Sequence, residues 1–234
     1  MKKGQGRRPV AAASGPKPLL RGWLHAGAAV AALGITVALL LRTYGDPPRF
    51  ASLLVFGLSM VELYTVSAVY HIGRWSARQH RLLRALDHSN IFVLIAGTYT
   101  PICVNVLPGR LGSTVLVLIW ALAVVGVASA LLALRLPRWI GTALYLGMGW
   151  LALATLPALS ARLPGAAIAL LVTGGVLYSL GGMIYALRRP DPWPQGFGFH
   201  ETFHLLPIAG GAAQSAPDTA HAATIAPVWA ALLT

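Results

Sequence analysis

Residues 50–71 read Phe50-Ala51-Ser52-Leu53-Leu54-Val55-Phe56-Gly57-Leu58-Ser59-Met60-Val61-Glu62-Leu63-Tyr64-Thr65-Val66-Ser67-Ala68-Val69-Tyr70-His71. A helix rises 1.5 Å per residue, so about 20 apolar residues cross a hydrocarbon core roughly 30 Å thick. No lysine or arginine interrupts this run, and it reads as a membrane-crossing helix. It carries one carboxylate, Glu62, near its middle and closes with Ser67-x-x-x-His71. Residues four apart share a helical face, which turns that hydroxyl and imidazole toward the same neighbour. Much later, His200-Glu201-Thr202-Phe203-His204 opens another apolar segment with the same spacing.

The rest of the chain repeats the first of these patterns. Apolar runs cover Trp23 to Leu41, Ser89 to Leu107, Ser113 to Leu134, Trp139 to Ala158 and Pro164 to Leu187, and a seventh begins at Phe199. Of 234 residues 56% are hydrophobic and only 10% charged, with a mean hydropathy of +0.68. Soluble domains carry roughly 25% charged residues, so the expected class is all-α: an integral membrane bundle of seven transmembrane helices. Residues 1–20 read as a flexible basic tail, 21–214 as the seven-helix domain, and 215–234 as either a continuation of the last helix or an interfacial tail. Short loops make successive helices antiparallel neighbours.

A net charge of +12 invites a nucleic-acid reading, but the placement of the charges argues against it. With the N-terminus inside, fourteen lysines and arginines fall on the cytoplasmic side, and only Arg42, Arg49, Arg110 and Arg162 fall opposite. This is the positive-inside rule, and it predicts a cytoplasmic N-terminus and an external C-terminus. The basic balance therefore reports topology and some attraction to anionic lipid, and no nucleic-acid partner is expected. The first span lacks a small-residue cleavage site before Arg42, and Arg7-Arg8 lacks the apolar residues of a twin-arginine signal, so the span is expected to stay. The single cysteine, Cys103, permits no intramolecular disulfide.

Two details of the spans bear on packing. Pro101, in Gly97-Thr98-Tyr99-Thr100-Pro101, is expected to kink the third span and free a carbonyl that Thr98 or Thr100 would satisfy. Gly174, Gly175, Gly181 and Gly182 in the sixth span suit close helix approach.

Topology then gathers the polar residues. The second span runs inward to His71, the third begins inside at Asp87-His88-Ser89-Asn90-Ile91, and the seventh begins inside at His200. All reach one membrane depth on one side. Three imidazoles, His71, His200 and His204, would leave one tetrahedral position of Zn²⁺ open, the pattern of a catalytic site. Asp87 is placed to take a proton from water in that position, and Ser67, one turn from His71, to donate to an oxyanion or hold an imidazole. Each residue also has a plainer reading. His71 would serve as an interfacial polar residue, Asp87 as a favourable charge at a helix N-terminus, and Ser67 as a donor to the carbonyl one turn back.

His200-Glu201-x-x-His204 also fits the HExxH pattern of zinc proteases, with Glu201 as base and His71 as third ligand. Glu62 is nine residues from His71, about half a rotation and roughly 13.5 Å away along the axis, and so outside that site. His25, His80, His88 and His221 read as surface, loop or interfacial residues.

Taken together, Ser67-x-x-x-His71, the stretch Leu86-Asp87-His88-Ser89-Asn90-Ile91 with Ala96-Gly97-Thr98-Tyr99-Thr100-Pro101, and His200-x-x-x-His204 resemble the hemolysin III family, bacterial relatives of the adiponectin and progestin receptors. The resemblance covers about residues 20–214. It implies seven membrane helices and a zinc ion near the cytoplasmic face, with His71, His200 and His204 as ligands, Asp87 holding the zinc-bound water and Ser67 completing the constellation. Alkaline ceramidases belong to the wider superfamily, which implies hydrolysis of a lipid amide or ester, with membrane lipid as substrate or ligand and the cell membrane as location. The competing implication is a non-catalytic receptor-like or pore-forming protein whose zinc is structural; an HExxH membrane protease ranks below both. After Gly211 the chain departs from the family pattern, since Ser215 to Ala220 stands where an apolar helix would continue.

Overall fold

The computed structural model describes residues 22–107, 109–132, 138–187 and 189, and these contain helices and turns but no strand. Among the described residues seven helices follow in order: α1 (Trp23–Arg42), α2 (Pro47–Ile72), α3 (Ala77–Asn105), α4 (Gly109–Leu131), α5 (Arg138–Trp150), α6 (Ala152–Ser160) and α7 (Gly165–Leu187). Among the described residues, α1, α2, α4 and the stretch Ala143–Ser160 are long and apolar enough to cross a membrane. Val30, Leu41, Val117, Val124 and Leu132 are exposed, as lipid-facing side chains are. The N-terminal tail 1–20, the apolar segment from Phe199 with His200, Glu201 and His204, and the C-terminal residues 215–234 lie outside the described residues.

Local chemistry sets the helix starts. Asp46 caps α2 by accepting from the Arg49 amide at 3.2 Å, with Pro47 at the first helical position where no amide is needed. Ser76 and Gln79 form a capping box that starts α3 at Ala77. The third helix thus begins twelve residues before the apolar stretch at Ser89, and residues 77–86, expected as loop, are helical. Only residues 73–76 separate α2 from α3, which lie against each other as an antiparallel pair.

Small residues bring these helices close. A Cβ at Gly97 would overlap Ser59 Oγ, one at Gly57 would overlap Thr36 of α1, and one at Gly126 of α4 would overlap the Phe92 ring. Asn105 Nδ2 donates to Ser52 Oγ at 2.9 Å farther along the α2–α3 seam. The central position of α3 follows: its buried residues run from Ser89 to Cys103, touching α2 on one side and α4 on the other. Gly97→Leu is expected to cost about 1–3 kcal/mol by over-packing this crossing, whereas Gly34→Leu, where nothing lies within 4 Å, should cost little. Unfolding both variants in mixed micelles checks this.

Two expectations change in detail. The helix runs through Pro101 to Asn105, and the threonines do not serve the Gly97 carbonyl that proline leaves: Thr98 Oγ1 donates to Leu94 and Ile95 carbonyls and Thr100 Oγ1 to that of Ala96. The span expected over Trp139 to Ala158 is two helices, broken at Leu151. There the Tyr99 hydroxyl lies 2.9 Å from the Met148 carbonyl and 3.0 Å from that of Gly149, occupying acceptors the helical ladder would otherwise use. The glycine-rich α7 rests on α5, with Gly175 beside Trp150 and Gly182 beside Leu146.

Candidate functional site

Three helices meet at the end of the bundle where α2 turns into α3. On α2, Ser67 is buried, and it reaches across to its neighbours. Its Oγ lies 2.7 Å from His25 Nδ1 of α1, and its hydroxyl is close enough to the Asp87 carboxyl of α3 to favour the charged form. Ser67 is thus brought close to Asp87, whose place in α3 the helix-dipole reading does not explain. Asp87 sits ten residues past Ala77, well inside the helix, where the N-terminal dipole has faded.

Asp87 lies just ahead of the apolar stretch that begins at Ser89. Burial raises its carboxyl above the ordinary range, while the Ser67 hydrogen bond and nearby His88 pull it back down. The His88 contribution is electrostatic: its Nδ1 is 3.8 Å from Asp87 Oδ2, and that nitrogen is 2.8 Å from the Arg84 carbonyl, an acceptor to which it donates.

His71 lies one turn beyond Ser67 on α2 and is half-buried. Its ring centroid stands 6.5 Å from that of His25 and 4.6 Å from that of Tyr70. Gly22 seats the start of α1 against this end of α2. It adopts φ 93°, and a Cβ there would come within 2.7 Å of Ile72 Cγ1 and 3.0 Å of His71 Cβ. Both the positive φ and the close approach require glycine.

His25 is the residue that sequence reasoning misses. Expected at a surface or interface, it is 7% exposed and bonded to Ser67, because it belongs to the buried stripe of α1 with Ala32, Thr36 and Leu39. These positions recur at 7, 11 and 14 residues, a helical period that was available as a signal. His80 is exposed, as expected, with its ring 5.1 Å from Tyr70. Glu62 lies on the exposed side of α2, away from buried Tyr64 and Ser67.

One turn from Ser67 and Asp87 come Tyr64 and Asn90, both 3% exposed. The α2–α3 register, which matches Ser67 with Asp87 and Ser59 with Gly97, places these two at one level. Among the described residues neither Tyr64 Oη nor Asn90 Nδ2 has a hydrogen-bond partner. Buried polar atoms without partners are rare in native structures and mark places where polar matter belongs.

For a zinc ion, the described residues supply His71 as an imidazole donor, with Asp87 and Ser67 as hydrogen-bonding groups beside it. Among the described residues no group of three or more metal-ligating side chains forms, and His200 and His204 lie outside them. One imidazole with an adjacent carboxylate and hydroxyl is chemically compatible with the open side of such a shell.

Comparison with known proteins gives a consistent result. The family model described as haemolysin-III related matches residues 14–215. A Bacillus subtilis (strain 168) protein named hemolysin-3 homolog is 37% identical over 170 residues, 73% of this chain and 76% of the relative. A Bacillus cereus protein named hemolysin-3 is 32% identical over 190 residues, 80% of this chain and 84% of the relative. No solved structure matches.

Proposed function

The chain belongs to the haemolysin-III-related family, and from that premise we propose that it is a zinc-dependent hydrolase of a lipid amide or ester. In this reading it spans the cell membrane seven times, with the N-terminus cytoplasmic and the site on the cytoplasmic side. The observation that carries the proposal is the approach of buried Ser67, one turn from His71 on α2, to half-buried Asp87 on α3. A carboxylate has little reason to be held there unless it is used.

His71, His200 and His204 would hold the metal. Bound zinc supplies carbonyl polarisation and an acidified water. The chain's own groups do the rest. Asp87 accepts a proton from the attacking water, and Ser67 holds the carboxylate in position by donating to it. The apolar outer surfaces give lipid a route to the seam, and Tyr64 and Asn90 provide polar atoms one turn farther in.

A second reading is a receptor-like or pore-forming protein in which zinc only pins helices, and the hemolysin names of the relatives favour its pore-forming form. The test is to incubate the purified protein in detergent with ceramide and with other lipid amides and esters, and to measure released fatty acid. Release that stops with a zinc chelator and returns with zinc is the expected result. Folded, zinc-loaded protein that releases no fatty acid from any of them but leaks dye from vesicles would replace the first reading with the second.

A further inference from the structure

The turn that joins α2 to α3 presents cations at the membrane edge. Arg74, Arg78, Arg81 and Arg84 fall within eleven residues, and all four are exposed. No carboxylate stands between Glu62 and Asp87, and the ion pairs among the described residues, Arg49–Asp46 and His88–Asp87, involve none of the four. The segment is ordered by its own contacts. Trp75 Nε1 donates to the Val69 carbonyl at 3.0 Å, the indole lies against Gly73 where a Cβ would overlap it, and the Ser76–Gln79 capping box starts α3.

The register of the two helices sets the height of this turn. Ser59 faces Gly97 and the helices run antiparallel, so Ile72, the last residue of α2, is level with Arg84. The arginines begin where the apolar run of α2 ends. Arg78, Arg81 and Arg84 advance by three residues along α3, which places them on an arc about 120° wide and about 9 Å long. Leu82 lies just outside that arc, about 40° from Arg78, and it is 57% exposed, with Trp75 37% exposed. Cations alone suit any polyanion. Cations flanked by exposed apolar side chains at the end of a membrane run suit a lipid, whose phosphate and chains need both. Arginine adds paired N–H donors that match phosphate oxygens.

We propose that the α2–α3 turn is a binding site for the phosphate group of an anionic membrane phospholipid, held by Arg74, Arg78, Arg81 and Arg84, with Trp75 and Leu82 against its apolar part. The positive-inside bias accounts for a count of basic residues, not for an ordered arc without carboxylates and with apolar flanks. The site rests on neither zinc nor hydrolysis. To test it, the full chain is reconstituted in equal parts phosphatidylcholine and phosphatidylglycerol, with one or the other brominated on its acyl chains. Quenching is read from the tryptophan fluorescence that Trp75→Phe removes. Phosphatidylglycerol should be favoured beside Trp75 by at least about 5-fold, the effect of one well-placed cation. Combining Arg74→Gln, Arg78→Gln and Arg81→Gln should bring the ratio near one, while Arg110→Gln, at the start of α4, leaves it unchanged. Arg81→Gln alone should lower it part-way, and it decides the matter if the combined variant does not fold. No preference in the wild type, or one that the arginine variants keep, would overturn the proposal. So would a preference abolished by inorganic phosphate but not by chloride of the same ionic strength, because the site would then take a free anion rather than a lipid.

Discussion

Asp87→Asn should abolish lipid hydrolysis while leaving the protein folded and its zinc in place. Loss of a general base costs about 10²- to 10⁴-fold in rate, or roughly 3–5 kcal/mol at 1.36 kcal/mol per factor of ten. Asparagine has nearly the volume of aspartate and an Oδ1 able to accept from Ser67, so the α2–α3 seam keeps its packing. Asp87 belongs outside the proposed ligand set, and the metal should stay. The competing readings part company on this variant. If zinc is structural, Asp87→Asn changes neither metal content nor stability and has no turnover to remove. If the HExxH reading holds, Glu201→Gln abolishes hydrolysis and Asp87→Asn leaves it. The measurement is fatty-acid release beside zinc content and thermal unfolding for the same preparations. A folded, zinc-loaded Asp87→Asn protein that turns over at the wild-type rate would remove Asp87 from the mechanism.

How far the site can be read from the sequence depends on the kind of signal each residue carries. Apolar runs bounded by arginines place α1 and α2 to within a few residues, because the requirement for an uninterrupted membrane stretch is severe: Trp23 to Leu41 is expected, and Trp23–Arg42 is found. The same criterion hides the first twelve residues of α3, since it treats charge as the end of a helix. Helix formation does not require low charge, and Ala77, Arg78, Gln79, Arg81, Leu82, Leu83 and Arg84 are good helix formers behind the Ser76–Gln79 capping box. The division between α5 and α6 depends on Tyr99, fifty residues away, which no local pattern contains. Ser67 and Asp87 are legible because a known spacing and a known motif flag them. His25 stands alone near a helix start, and only the buried stripe it shares with Ala32 and Thr36 separates it from an interfacial residue.

His71→Ala and His204→Ala should each strip the metal from the protein, taking zinc from about one per chain to near none. A three-imidazole shell binds through three comparable bonds, so removing any one leaves two neutral donors on a cation that loses its geometry. The two variants test different things. His71 stands on α2, one turn beyond Ser67 and against Gly22, so its loss probes whether the described seam belongs to the metal site. His204 lies outside the described residues, and its loss probes whether the later apolar segment closes over the same ion. If both variants lose zinc, the seam and the segment from Phe199 form one centre, and Asp87 and Ser67 stand beside it. If only His204→Ala loses zinc, the metal sits elsewhere and Ser67, Asp87 and His25 form a polar network of their own. Zinc content measured on folded, detergent-purified protein separates these outcomes, and Ser67→Ala provides the control: it touches His25 and Asp87 but supplies no imidazole, so it should keep its metal.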